Sequence, residues 1–254
     1  MNFPLTLMSF CVGMLIGLTS MGGAALMAPF LILVVGVRPV TADGTDLVYG
    51  AVTKIIGAWV HWRQDTVDLP VVKKLATGSI PGGLVGAGIV IALPRYSHNA
   101  EHFVQKAIGV LLVLVAVILV VRMFLPGQAA SPPAKRLKFL HERGTVIWGA
   151  IVGLCVGATS VGSGSLLAPF LMLLYPTKTS KVVGTDVFHA AILVSVTGLA
   201  HATSNGVEWQ LIPSLLAGSI PGVLLGSKLA VHIPARPLRT GLAALLLVTG
   251  YRMF

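Results

Sequence analysis

Two stretches of sequence decide the fold: TSMGGAALMAPFL at 19–31 and TSVGSGSLLAPFL at 159–171. Each places a Thr-Ser pair and glycine residues in the middle of a long apolar run. The similarity extends outward from these motifs, because segments 13–31 and 153–171 are identical at ten of 19 positions. The same polar interruption therefore occurs twice, at equivalent places in two copies of one sequence unit.

The duplication continues along the chain at a constant offset of 140 residues. Further matched pairs are GTDLVYGA with GTDVFHAA (44–51 and 184–191) and LATGSIPGGLVG with LLAGSIPGVLLG (75–86 and 215–226). We therefore predict two homologous membrane units, 1–125 and 144–254. The intervening segment 126–143 contains the proline-rich and strongly basic run SPPAKRLKFLHER and is predicted to be a cytoplasmic connector.

The composition is that of a polytopic membrane protein. Of the 254 residues, 55% are hydrophobic and only 10% are charged, and the mean hydropathy is +0.89. Soluble domains carry about 25% charged residues. We therefore expect an all-α integral protein of the bacterial cytoplasmic (inner) membrane. The net charge of +10 is typical of basic residues that flank membrane spans, and no nucleic-acid-binding motif accompanies it.

The sequence gives no sign of enzymatic chemistry. It contains neither an HExxH motif nor a Cys/His array, and no ATP-binding motif is present. We therefore expect no catalytic residues, no metal site and no cofactor, and the chain is not interpreted as an enzyme. Its expected partners are the lipid bilayer and a small anionic substrate, and the oligomeric state is left open.

Hydropathy indicates eight apolar segments, of which the first and fifth exceed 30 residues, whereas a membrane span needs about 20. The segments are approximately 3–36, 44–62, 71–93, 103–124, 144–175, 184–203, 209–231 and 237–254. Because the polar interruption lies inside both long segments, each is predicted to be two short helices folded back as a hairpin. The second short helices are expected to begin near Gly22–Ala24 and near Gly162–Ser165.

The distribution of lysine and arginine favours these hairpins. With the connector in the cytoplasm, eight single crossings would leave nine basic residues inside and eight outside. If the first and fifth segments return to their own side, the counts become 13 inside and four outside, with Lys54 inside a span. Each unit then crosses the membrane an odd number of times. The predicted fold is therefore two inverted repeats, a plan that secondary transporters use to form a substrate site near the midplane.

The two interruptions are the predicted substrate site. A helix that starts at a hairpin tip has unpaired N–H groups and a partial positive charge, and glycine lets a ligand approach the backbone. These properties suit a small anion with several oxygen atoms. The candidate binding residues are Thr19, Ser20, Gly22, Gly23, Thr159, Ser160, Gly162, Ser163 and Gly164. The alternative is that these small residues only permit close helix packing.

Charged residues at membrane depth are a second group of candidates. Lys54 lies well inside the second segment, where a lysine is rare, and could bind the anion or form an ion pair with Asp46 or Asp186. The two aspartates and His189 are candidates for proton or cation coupling, or for gating. For the aspartates, the structural alternative is a capping role in the first helical turn, helped by the preceding threonine of each GTD triplet.

Two further matched pairs complete the candidates. Pro81 and Pro221 lie inside GSIPG motifs within spans and are predicted kinks or hinges, because proline removes a helical hydrogen bond. His61 and His201 lie near segment ends, where placement at the membrane interface is favoured over a role in proton relay.

Taken together, these motifs resemble the sulfite exporter TauE/SafE family of membrane permeases, also called TSUP. The resemblance covers nearly the whole chain and implies transport of sulfur-containing anions such as sulfite, sulfoacetate and related sulfonates. It also implies that Thr19–Gly23 and Thr159–Gly164 correspond to the repeated motif of the family. We therefore expect a secondary transporter that exports its substrate and works by alternating access. The alternative is an anion channel, or a permease for another small anion such as sulfate, thiosulfate or a carboxylate.

Overall fold

The expectation of an all-α protein is confirmed by a computed structural model that describes residues 3–19, 22–96, 99–124, 135–175, 179–204, 206–230 and 235–254. Within these ranges the chain forms helices and connecting turns, with no strand. The helices are α1 (Phe3–Thr19), α2 (Gly22–Phe30), α3 (Pro39–Arg63), α4 (Leu69–Tyr96), α5 (Ala100–Phe124), α6 (Lys135–Thr159), α7 (Leu167–Leu174), α8 (Thr179–Ala202), α9 (Ile212–Leu229) and α10 (Ala235–Tyr251). A π-helical turn, Leu31–Val35, continues α2.

In both copies a helix ends at the threonine of the duplicated motif and the next described helix begins after it. The helix α1 ends at Thr19 and α2 begins at Gly22, inside the expected interval. In the second copy, α7 begins only at Leu167, so its expected start near Gly162–Ser165 is wrong. The reason is local geometry. Ser160 and Gly162 have positive φ angles of 54° and 118°, which a right-handed helix does not accommodate.

The helices α3 and α8 begin five residues before the predicted segments, which overturns the expected capping role of Asp46 and Asp186. Pro39 starts α3, where its fixed φ angle and missing N–H are tolerated. Each aspartate is therefore the eighth residue of its helix, beyond the first turn. Likewise, α6 begins at Lys135, so the second part of the predicted connector is helical.

The threonine of each GTD triplet forms a hydrogen bond with a residue in the other half of the protein. The hydroxyl oxygen of Thr45 accepts a hydrogen bond from the N–H of Glu208, just before α9, at 2.8 Å. The equivalent Thr185 accepts one from the N–H of Asp68, just before α4, at 2.9 Å. The two contacts are equivalent under the offset of 140 residues, so each half fixes the start of a helix in the other.

Two tightly packed helix pairs form the outer frame, and each pair joins one half to the other. In α1 and α9, Gly218 faces Thr6 and Gly226 faces Met14, so the two helices run in the same direction. The helices α6 and α4 repeat this arrangement, with Gly153 facing Ser79. A Cβ atom at any of these glycines would collide with the backbone of the facing helix. Small residues at such close crossings are typical of membrane helices.

The centre of the fold is the pair α3 and α8. Gly57, late in α3, lies beside Val187, early in α8. Gly198, late in α8, lies beside Leu47, early in α3. These contacts show that the two equivalent helices pass each other in opposite directions. The helix α3 also packs against α9, and α8 packs against α4, so the central pair connects both parts of the frame.

Four helical stretches of the described chain are long and apolar enough to cross a membrane: 69–93, 100–121, 180–202 and 212–229. The helix α3 has 25 residues but carries four charged ones: Asp43, Asp46, Lys54 and Arg63. Of these four, Asp43, Asp46 and Lys54 are buried in the protein, away from any lipid. Burial inside a bundle is where membrane proteins keep ionisable groups, and such groups are by default functional candidates.

The close packing of these helix pairs predicts that a larger residue at a contact glycine will destabilise the protein. Substitution Gly82→Ala should lower the free energy of unfolding by about 1–3 kcal/mol, because its methyl group would meet the backbone at Ala150 of α6. The matched control is Gly88→Ala in the same helix, where a Cβ meets nothing within 4 Å. The control should be neutral or stabilising by up to about 1 kcal/mol, since alanine favours the helix. Unfolding of both variants in detergent measures the difference, and equal stabilities would contradict the packing described here.

Candidate functional site

The second helix break is held against α3 by two side-chain contacts. The Ser160 hydroxyl donates a hydrogen bond to Asp46 Oδ2 at 2.7 Å. Three residues further on, Ser163 Oγ accepts a hydrogen bond from the Lys54 ammonium at 2.5 Å. All four side chains are at most 2% exposed. The structure thus brings the predicted break residues and the predicted intramembrane lysine together in the protein interior.

Several backbone N–H groups of the second break, just before α7, are not used as hydrogen-bond donors in this turn. The N–H groups of Leu166 and Ala168 bond to the carbonyl oxygens of Gly162 and Gly164, both at 3.1 Å. Among the described residues, none of the hydrogen bonds found in this turn uses an N–H group of residues 162–165. Such N–H groups at a helix start favour an anion.

The threonines of the two breaks are placed identically. Thr19 and Thr159 are buried, and each donates its hydroxyl hydrogen to the carbonyl oxygen four residues earlier, at 2.8 Å in both copies. Each hydroxyl hydrogen therefore bonds within its own helix. Of the remaining predicted residues in the first break, Gly22 and Gly23 form the start of α2, and Ser20 lies outside the described residues.

Lys54 is the only buried lysine among the described residues, and it interacts with an aspartate from each half of the protein. Its ammonium group interacts electrostatically with Asp46 and with Asp186, the two matched aspartates. Its own counterpart in the second half is Val194, so a single cation stands opposite two symmetrically placed carboxylates. The ion-pairing alternative considered from the sequence is therefore compatible with the geometry, and it does not remove Lys54 from the site.

A small cavity lies at this cluster. Ile16 of α1, Ser160 of the second break and Val194 of α8 line it together with the α3 residues Asp46, Leu47, Tyr49, Gly50 and Lys54. It has room for about one water molecule. The cavity is therefore bounded by both halves, and the matched positions 54 and 194 meet across it.

The GSIPG motifs contribute serines to the centre of the protein. Ser79 Oγ lies 2.7 Å from His189 Nε2, and Ser219 Oγ lies 2.8 Å from Thr53 Oγ1, all fully buried. His189 also interacts electrostatically with Lys54, which places it at the edge of the cluster. The helices α4 and α9 continue through Pro81 and Pro221, whose side chains face outward. The predicted hinges are therefore outside the cluster.

One buried pair of an aspartate and a histidine was not predicted from the sequence. Asp43 Oδ2 lies 3.6 Å from His201 Nε2, and both side chains are completely buried. His61 is completely buried as well, so neither histidine is exposed at a helix end. Asp43 precedes Asp46 by three residues and shares its helix face. Asp43 was missed as a candidate because the predicted segment began at residue 44, one residue after it.

Fold and site together define a class of protein. A helical membrane bundle whose duplicated, broken helices enclose a lysine and several carboxylates is the architecture of a membrane transporter. Among the described residues, no cluster of three or more His, Cys, Asp or Glu side chains could hold a metal ion.

Comparison with known proteins specifies the family. The model of the sulfite exporter TauE/SafE family matches residues 5–253. The chain is 41% identical to the "Probable membrane transporter protein YjnA" of Bacillus subtilis, with 100% of both chains covered. It is 24% identical to the "Probable membrane transporter protein YdhB" of the same organism, with 93% of each covered, and 26% identical to y4hK of Sinorhizobium fredii, with 86% and 84% covered. No solved structure matches the chain.

The chain belongs to the TauE/SafE sulfite exporter family. It is an integral membrane transporter and not an enzyme, which confirms the resemblance and the class of function inferred from the sequence.

The second break makes a prediction about backbone geometry. Substitution Gly162→Ala should reduce binding of a transported anion at least ten-fold, because φ near 118° is strained for alanine and its Cβ would meet Leu166 at 3.1 Å. The matched control is Gly36→Ala, another glycine with positive φ (78°), where a Cβ meets nothing within 4 Å. Isothermal titration with sulfite or sulfoacetate measures both. Equal affinities would remove the break backbone from the site.

Proposed function

We propose that the protein is a secondary transporter of small sulfur-containing oxyanions, such as sulfite, sulfoacetate or another organosulfonate. The observation that carries the proposal is the buried Lys54 ammonium, bonded to Ser163 of the break at the start of α7. An ammonium group, serine hydroxyls and unpaired N–H groups are all hydrogen-bond donors. A sulfonate or sulfite group offers three oxygen acceptors, so donors from several directions suit it. In this proposal His189 extends the site from α8.

The charges of the cluster imply that an anion does not bind alone. With Lys54 charged and Asp46 and Asp186 ionised, the three side chains carry a net charge of −1. An anion entering this group would face two carboxylates in a medium that screens charge poorly. Uptake of a positive charge by the protein would offset that repulsion. The charge balance therefore supports a transporter in which the anion moves together with protons or another cation.

The packing supports a carrier that alternates between two states. The cavity at Lys54 has room for about one water molecule, so a sulfonate requires the two halves to separate. The opposite directions of α3 and α8, which are equivalent helices, support the proposal of two inverted repeats. In inverted-repeat transporters one bundle rocks against the other around a fixed central site.

The substrate class is tested by binding and exchange. Purified protein is screened with sulfite, sulfoacetate, sulfate, thiosulfate and small carboxylates, and each ligand that binds is followed as counterflow in proteoliposomes. We expect saturable exchange of a sulfur oxyanion. Flux far above carrier rates would identify a channel instead, and binding of carboxylates alone would contradict the proposed substrate class.

Replacement of the buried lysine is the sharpest single test of the site. Lys54→Met keeps an unbranched chain of similar length but removes the charge, so anion binding should fall at least ten-fold while the protein still inserts and folds. The matched control is Lys73→Met, at an exposed lysine in α4, which should bind normally. Normal transport by Lys54→Met would show that Lys54 only balances the neighbouring aspartates.

The inverted arrangement has its own consequence for topology. If each half crosses the membrane an odd number of times, the N-terminus and the connector lie on opposite faces, whereas four crossings in each half would place them on the same face. Single-cysteine labelling at both places in intact cells, in a cysteine-free background, distinguishes the two. Labelling of both from one side would contradict inverted repeats.

A further inference from the structure

We propose that the buried pair Asp43 and His201 is the proton-binding site that couples proton movement to anion transport, an inference that rests on the proposed function. The pair joins the two halves, because Asp43 belongs to α3 and His201 to the end of α8. It adjoins the cluster at Lys54 through Asp46 and Ser160, and no role follows for it from anion binding.

The geometry leaves places for a proton to bind. His201 Nε2 lies 3.3 Å from the carbonyl oxygen of Gly157 and 3.6 Å from Asp43 Oδ2. A nitrogen that faces two oxygen acceptors carries hydrogen, so the neutral ring has its lone pair on Nδ1. Within the described residues, His201 Nδ1 and both carboxylate oxygens of Asp43 are buried without a hydrogen-bond partner. These three atoms are the available acceptors.

The charge of the pair favours a bound proton. An ionised aspartate next to a neutral imidazole is a net charge of −1 that is shielded from water on every side, since both residues are 0% exposed. Burying a charge without hydrogen bonds is costly. One added proton makes the pair neutral overall, as an imidazolium–carboxylate pair or as a carboxylic acid beside imidazole. Uptake and release of that proton therefore change the stability of the contact between the halves.

The first half lacks this arrangement at the equivalent place. His61 contacts the carbonyl oxygen of Gly17 at 3.3 Å, as His201 contacts Gly157, but its Nδ1 lies 3.1 Å from the Thr66 hydroxyl. In the second half, Gly206 replaces that threonine, so the hydroxyl is missing. Asp43 likewise has Val183 as its counterpart. The histidine of the first half, His61, therefore has a contact at each ring nitrogen. In the second half, His201 Nδ1 can accept a proton.

The pair is positioned to influence the substrate site. Gly157 lies in the last turn of α6, three residues before Ser160, which binds Asp46. Asp43 and Asp46 are one helical turn apart, and Asp46 acts electrostatically on Asp43. A change in charge at the pair thus reaches both the helix break and the carboxylate that neighbours Lys54.

Few other charged groups face the pair. Within α3 the nearest is Asp46, and the Ser160 hydroxyl approaches from the break. From α5, Glu101 Oε2 accepts a hydrogen bond from the N–H of Val40 at the start of α3, at 2.9 Å. Glu208, before α9, contacts Thr45 only through its backbone N–H. Of these acidic groups, Asp46 interacts electrostatically with Asp43.

The coupling is tested in proteoliposomes that contain a trapped pH-sensitive dye. A gradient of the anion that binds in the screen should drive proton movement by the wild-type protein. Asp43→Asn and His201→Gln should retain anion exchange but lose at least ten-fold in anion-driven proton flux. The matched control is His61→Gln, at the equivalent histidine, which should retain both activities. Anion-driven proton flux that persists in Asp43→Asn and His201→Gln would overturn the proposal.

A second measurement needs no substrate and separates this proposal from the proposed function. Infrared difference spectra of the purified protein across a pH titration should contain a band of the Asp43 carboxyl group, protonated or ionised, that disappears in Asp43→Asn. If that variant does not fold, Asp43→Glu should shift the band. A wild-type protein that shows this band but moves no sulfur oxyanion would refute the proposed function while supporting the proton site. A titration identical in wild type and Asp43 variants would refute the site.

Discussion

The structure depends on one constraint: charge that is placed in the interior of a membrane protein must find partners inside the protein. Here a single lysine, Lys54, is placed among Asp46, Asp186 and the serines of a broken helix. The hydroxyl groups of Ser160 and Ser163 in the break bind Asp46 and Lys54. The glycine-rich break places hydroxyl groups and backbone N–H groups next to the charged side chains of α3. The helix break and the charged residues of α3 therefore form a single cluster.

The rest of the fold keeps this group enclosed. The parallel pairs α1–α9 and α4–α6 pack backbone against backbone through glycines, and each pair joins one half to the other. The threonines of the GTD triplets tie each half to the turn that precedes a helix in the other half. Contacts between the halves are therefore made of equivalent pairs. In the proposed mechanism, such pairing would let two states of similar energy exist, in which the halves meet differently around the same centre.

The duplicated halves differ at several positions that bear charge or form hydrogen bonds. Lys54 has a valine as its counterpart, as does Asp43, and Thr66 has a glycine. The symmetric positions carry helix packing, the loop contacts and the two matched carboxylates, whereas Lys54 and Asp43 have no charged counterpart. A single cation shared by two matched carboxylates, and a histidine open to a proton in only one half, would give the transporter distinct roles for its two halves.

The sequence by itself determined the class of protein, the duplication, the two helix breaks and the importance of Lys54. These follow from hydropathy, from the constant offset and from the cost of a lysine within a span, which are local or additive properties. It misplaced the starts of α3, α7 and α8, because a proline start and positive φ angles are not visible in hydropathy. Only the tertiary structure decided that His189 meets Ser79, that Lys54 contacts Ser163 and that Asp43 faces His201. Each of these contacts joins residues more than 100 positions apart, and their partners are fixed by how the helices cross.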